Sequence, residues 1–105
     1  MFIPSIVPIA EDTVYLVEDD YGHIGRSFRE TDVTQSDRET TLQDLLSGQF
    51  NNPVRVIALN IREEWARDVS FELAVELQRR ADSERRELTG TTRDFVVYYT
   101  RRAMT

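Results

Sequence analysis

The 105-residue chain contains no cysteine and no lysine, and only one histidine. Without cysteine there is no disulfide, no zinc–thiolate site, no iron–sulfur cluster and no thiol nucleophile. Small secreted scaffolds commonly rely on disulfides, so their absence favours the cytoplasm. Without lysine there is no Schiff-base chemistry, no phosphate-loop lysine and no lysine general base. All 13 basic residues are arginine, and GC-rich codon usage is the plain explanation. Long apolar runs are also missing: nothing approaches the roughly 20 residues of a membrane span. The opening "MFIPSIVPIAEDT" is apolar but has no basic start, and Pro4 and Pro8 interrupt it. We therefore read residues 1–12 as an extended arm or extra edge strand rather than a signal peptide.

Apolar residues make up 40% of the chain and charged residues 30%, the balance of a soluble globular protein, and the length suits one domain over 1–105. The net charge of −6 is unevenly spread. Residues 1–44 hold ten acids against three arginines, and residues 45–105 hold nine acids against ten arginines. A strongly acidic half disfavours nucleic acid, which needs a dense basic footprint. The pairs Arg79–Arg80 and Arg85–Arg86 sit among Glu76, Asp82, Glu84 and Glu87, which neutralise them locally. Tyr98 and Tyr99, as neighbours in a strand, would face opposite sides and form no base-stacking platform.

Along the chain, "TVYLV" (13–17) reads as a buried strand and "IGRSFRE" (24–30) as a more exposed one, joined by the turn-forming "EDDYGH". Ser36 and Glu39 form an S-x-x-E capping box ahead of Leu42, Leu45 and Leu46, and Gly48 is placed to stop that helix. "VRVIALN" (54–60) has the pattern of a central strand. A second helix, capped by Asp68 or Ser70, carries an apolar arc from Phe71 to Leu88 and ends at Gly90, with Glu76–Arg80 and Asp82–Arg86 as i,i+4 pairs. "DFVVYYT" (94–100) reads as a last strand. The order ββαβαβ predicts an α/β (α+β) two-layer sandwich: a four-stranded mixed sheet with two helices on one face. Strands 24–30, 54–60 and 94–100 would run parallel, with the first strand antiparallel to them. Two apolar sheet faces with so few helices leave one face needing cover, from the N-terminal arm or a second subunit.

Two polar groups are candidates for chemistry. Asp19, Asp20 and His23 follow the first strand. Oxygen ligands suit magnesium, and "VEDD" (17–20) is similar to the end of the first strand of response-regulator receiver domains. The likeness stops there: Ile61 follows "VRVIALN" where a phospho-acceptor aspartate would be needed, and the chain has no lysine. Gly22 and Gly25 in a helix would each cost about 1 kcal/mol. We expect a hairpin corner and assign no metal, with Asp19, Asp20 and His23 as weak candidates only. The second group is Glu30, Asp32, Asn60, Arg62, Glu63, Trp65, Arg67 and Asp68. It lies where carboxyl ends of parallel strands usually receive ligands, beside a helix N-terminus able to hold an anion. Trp and Arg are also enriched at binding hot spots. The plain alternative has Trp65 as a core lid and Arg67 in an ion pair. A hairpin at Gly22 would place the two groups at opposite ends of the sheet, unable to form one site.

The segments "YLVEDDYGHIGRSFRETD", "LLSGQFNNPVRVIALN" and "EEWARDVSFELAVEL" together resemble a family of short uncharacterised bacterial proteins. The resemblance spans about residues 14–80 and implies a bacterial, cytoplasmic protein; it carries no activity or site residue with it. The expected function is a small binding or regulatory module acting on a protein partner or on itself as a homodimer, with no cofactor and no membrane association. Its binding residues would be Glu30, Asn60, Arg62, Trp65 and Arg67, together with the acidic hairpin. The alternative is a small enzyme or ligand-binding protein with an acid and arginine site at the carboxyl strand ends, which would need Glu30, Asn60 and Arg62 to converge in a concave pocket.

Overall fold

The computed structural model describes residues 13–28 and 37–103. The arm at 1–12 and the continuation of the second strand into 29–30 lie outside the described residues. The hairpin forms as expected. Strand β1 (Thr13–Asp20) pairs antiparallel with β2 (Arg26–Phe28). Between them, a 3-10 turn over Gly22–Ile24 is set by the Asp20 carboxylate, which accepts the Gly22 N–H at 2.8 Å. Gly22 (φ 72°) and Gly25 (φ 112°) occupy backbone conformations that side chains resist.

Helix α1 (Arg38–Leu46) is capped one residue later than expected. Asp37 accepts the Thr40 N–H at 3.1 Å, and this bond holds the Asp37 carboxyl below its ordinary pKa. Ser36 lies outside the described residues. Gly48 does end the helix, at φ 73°. Its N–H donates to the Leu45 carbonyl and the Gln49 N–H to that of Asp44, the paired bonds of a Schellman motif.

Strand β3 (Pro53–Asn60) pairs with β1, and β4 (Trp65–Asp68) pairs with β3. The strand order is β2-β1-β3-β4, and every neighbouring pair is antiparallel. The expected mixed sheet is therefore corrected to an antiparallel one. β2 and β3 do point the same way, but β1 lies between them.

Helix α2 (Ser70–Ser83) has Val69, not Asp68 or Ser70, at its cap position, without a side-chain cap, and it stops seven residues before Gly90. Arg85 takes the left-handed conformation (φ 53°). The Arg85 N–H bonds to the Asp82 carbonyl and the Arg86 N–H to that of Ala81, a second Schellman motif built without glycine. Arg86 thus falls beyond the helix and pairs with Glu84, not Asp82. The Glu76–Arg80 pair forms at 2.7 Å.

The largest correction is at 94–100. This stretch is no strand but part of a third helix, α3 (Gly90–Ala103), and Gly90 opens it. Thr92, Phe95 and Val96 are buried and Tyr99 half-buried, while Arg93, Asp94 and Tyr98 are exposed. That spacing places one face of a helix inward. With the last strand gone and β4 added, the order ββαβαβ gives way to ββαββαα, an α+β arrangement.

The core explains the layering. Val17, Val56 and Ala58 from one face of the sheet cluster with Leu42 and Leu45 of α1, Leu73, Ala74 and Leu77 of α2, and Phe95 and Val96 of α3. Arg80 ties α1 to α2: its guanidinium donates to Glu39 at 2.7 and 2.8 Å and to Glu76 at 2.7 Å. Hydrogen bonds from Arg80 and Gln43 hold the Glu39 carboxyl at about 2. Those from Arg79 and Arg80 do the same for Glu76, also at about 2.

Candidate functional site

The two polar groups picked out by sequence do stand at opposite ends of the sheet. In the β1–β3 ladder Asp19 lies opposite Pro53, whereas Thr13 lies opposite Asn60. Asp19 is fully buried; its carboxylate accepts the Asn52 N–H at 3.1 Å and the Tyr21 hydroxyl at 3.4 Å. Asp20 sets the turn and accepts from Arg26 Nε at 3.4 Å. His23 is exposed. Among the described residues no three His, Cys, Asp or Glu side chains gather as a metal site would require.

At the other end, Asn60, Arg62, Trp65 and Arg67 come together around the β3–β4 turn. Glu30 and Asp32 lie outside the described residues. Asn60 is buried; its amide donates to the Thr13 hydroxyl at 3.0 Å and its carbonyl oxygen accepts the Glu63 N–H at 2.9 Å. It therefore shapes the turn, which closes with Glu64 at φ 60°. Arg62 is exposed on that turn. Trp65 packs on the edge of the core and donates Nε1–H to Glu63 at 3.2 Å. The Arg67 guanidinium stands 5.7 Å from the Trp65 ring centre and 3.3 Å from Glu72. Because the sheet is antiparallel, this is not a set of parallel carboxyl ends, and the strand-end logic that suggested a ligand site there does not apply.

Two other features lie outside these two polar groups. The first is the sheet face turned away from the core. On it Val14 is paired with Leu59, and Leu16 with Ile57. Ala66 extends the first row and Asp68 the second. The third row runs Phe28, Glu18, Arg55, with the last two ion-paired at 3.0 Å. None of Val14, Leu16, Ile57 and Leu59 belongs to the buried cluster. The alternation that shows this was present in the sequence, but only the strand register says which residues share the face.

The second is an open groove of about 420 Å³ where α3 meets the N-terminal end of β3. β4 pairs only with residues 57–60 of β3, so the edge at Val54–Val56 is met by side chains instead. The Tyr99 hydroxyl donates to the Val54 carbonyl, and buried Ser70 Oγ accepts the Val56 N–H at 2.8 Å. Burial raises the Tyr99 phenol above its ordinary pKa. Beside this seam Arg26, Arg55, Asp94 and Tyr98 border the opening. Tyr98 is half exposed, meets Tyr99 edge-on at 4.9 Å and carries the Arg102 guanidinium 5.1 Å over its ring.

Comparison of the chain with protein-family models, with curated proteins and with solved structures gives no match, so no role is carried over from a relative. No helix among the described residues is long and apolar enough to cross a membrane.

Proposed function

We propose that this protein is a small binding module of the bacterial cytoplasm that pairs with a second copy of itself through the sheet face opposite the helices. The observation that carries this reading is the apolar quartet Val14, Leu16, Ile57 and Leu59, aligned in two adjacent rows and left out of the core. A face of this kind gains free energy when covered, at roughly 25 cal/mol per Å². The rim favours a copy of the chain over a foreign surface of one charge sign. Glu18 and Arg55 lie side by side, so a twofold axis can bring acid to base in both directions. Strands of eight, three, eight and four residues at normal rise and spacing make a face of about 360 Å². Two copies would bury about 700 Å², below the range of stable interfaces. The pairing is therefore weak and reversible on dilution.

Light scattering across a concentration series tests this. The wild type should move from monomer towards twice the monomer mass. Leu16→Gln and Ile57→Thr should remain monomeric while keeping the wild-type circular dichroism spectrum. A wild type that stays monomeric at millimolar concentration, or folded variants that dimerise equally well, would overturn the reading.

A further inference from the structure

We infer that the groove between α3 and β3 is a binding site for a small zwitterion carrying a flat ring, the chemistry of a free aromatic amino acid. The inference does not rest on self-association: Asp94 and Tyr98 are on α3, although Arg55 also borders the apolar sheet face.

Three charged groups at the opening have unused bonding capacity. Arg26 gives its Nε to Asp20 and Arg55 gives its Nε to Glu18. Their terminal amino groups have no partner among the described residues, and both side chains are well exposed. A guanidinium has five N–H donors in a planar fork, and the free edge suits a carboxylate. Across the groove, the Asp94 carboxylate has neither a hydrogen bond nor an ion pair among the described residues. It is an acceptor available to an ammonium group. Tyr98, one turn after Asp94 on α3, offers a ring edge beside the apolar seam of Phe95 and Tyr99. Offset and edge-on ring contacts add to affinity beyond burial alone. The volume of about 420 Å³ falls within the range of small-molecule sites.

The arrangement selects for both charges. An anion without an ammonium group leaves Asp94 unsatisfied and brings a second negative charge near it. A cation without a carboxylate leaves the free arginine edges unfilled. The site is open to solvent, so salt and water weaken each pair, and binding belongs in the high-micromolar to millimolar range.

The test is a titration of isotopically labelled full-length protein, followed by amide chemical shifts, with L-phenylalanine, 3-phenylpropanoate and 2-phenylethylamine as probes. L-Phenylalanine should give saturable shifts confined to residues 26, 52–55 and 94–99. Each single-charge probe should bind about tenfold more weakly, as should Asp94→Asn with L-phenylalanine; tenfold corresponds to about 1.4 kcal/mol. Asp94 is exposed and has neither a hydrogen bond nor an ion pair among the described residues, so the variant keeps its fold and its self-association. Absence of saturable shifts at those residues, equal binding of 3-phenylpropanoate, or undiminished binding by folded Asp94→Asn would each overturn the inference.

Discussion

Replacing Arg85 by glycine should make this protein more stable. Arg85 occupies the position after the end of α2 where the chain turns left-handed, at φ 53°. For a residue with a Cβ that conformation costs roughly 1–2 kcal/mol. The side chain is exposed and has no partner among the described residues, so removing it loses no contact. Glycine gives back part of the gain, because it loosens the unfolded chain by about 0.4–1 kcal/mol. The net expectation is a gain of about 0.5–1 kcal/mol, or a rise in Tm of about 2–6 °C for a domain of this size. Gly48 supplies the reciprocal experiment. It plays the same part at the end of α1, at φ 73°, and a Cβ there would meet nothing within 4 Å. Gly48→Ala should therefore lose about 1 kcal/mol through backbone strain alone. Urea unfolding of both variants, with unchanged m-values, is the assay. A neutral Gly48→Ala together with a destabilised Arg85→Gly would show that these turns are not what ends the two helices.

Further outcomes follow from the core and its seams. Leu77→Ala should cost about 2–5 kcal/mol, since Leu77 is fully buried. Val75→Ala, two positions earlier on the exposed side of the same helix, should stay within about 0.5 kcal/mol; similar losses at both sites would mean α2 is rotated. Ser70→Ala should cost about 1–3 kcal/mol by leaving the buried Val56 N–H without its acceptor, measurable by thermal unfolding. Acid should weaken the α1–α2 junction. Glu39 and Glu76 are held at about 2 in the folded state, against 4.5 for the free side chain. Lowered carboxylate pKa values contribute stability above pH 4.5, and that contribution is lost as pH falls from 4.5 through about 2. Arg80→Met should flatten the pH dependence of unfolding in that window, and an unchanged slope would refute the assignment.

Sequence pattern and tertiary structure diverge most at α3 and β4. "FVVYY" is apolar at every position, so it carries no period of its own, and its β-branched and aromatic residues favour a strand. The helical spacing emerges only when Thr92 and the charged flank Arg93–Asp94 are included. β4 was hidden for a different reason. "WARD" is short, polar and immediately ahead of a helix, and it is strand only because the Asn60-centred turn folds it back on β3. Asn60 was legible as a polar residue at a strand end. Its use as a turn former rather than a ligand depends on the Glu63 N–H arriving 2.9 Å away.

Local chemistry along the chain was enough to place the β1–β2 hairpin, the stop at Gly48, the start of α2 and the wide separation of Asp19 from Asn60. The first three depend on neighbours within a few residues, such as a carboxylate meeting an amide two positions on or a glycine free to turn left-handed, and the separation follows from the hairpin together with the β1–β3 register. The tertiary structure decided what borders β3. Val54 and Val56 need partners for their backbone groups, and the Tyr99 hydroxyl and Ser70 satisfy two of them. A helix could therefore occupy the edge where a strand was expected. That choice pairs residues 45 positions apart for Tyr99 and 14 for Ser70, and short-range pattern contains no information about which distant group will arrive first. The groove follows from it.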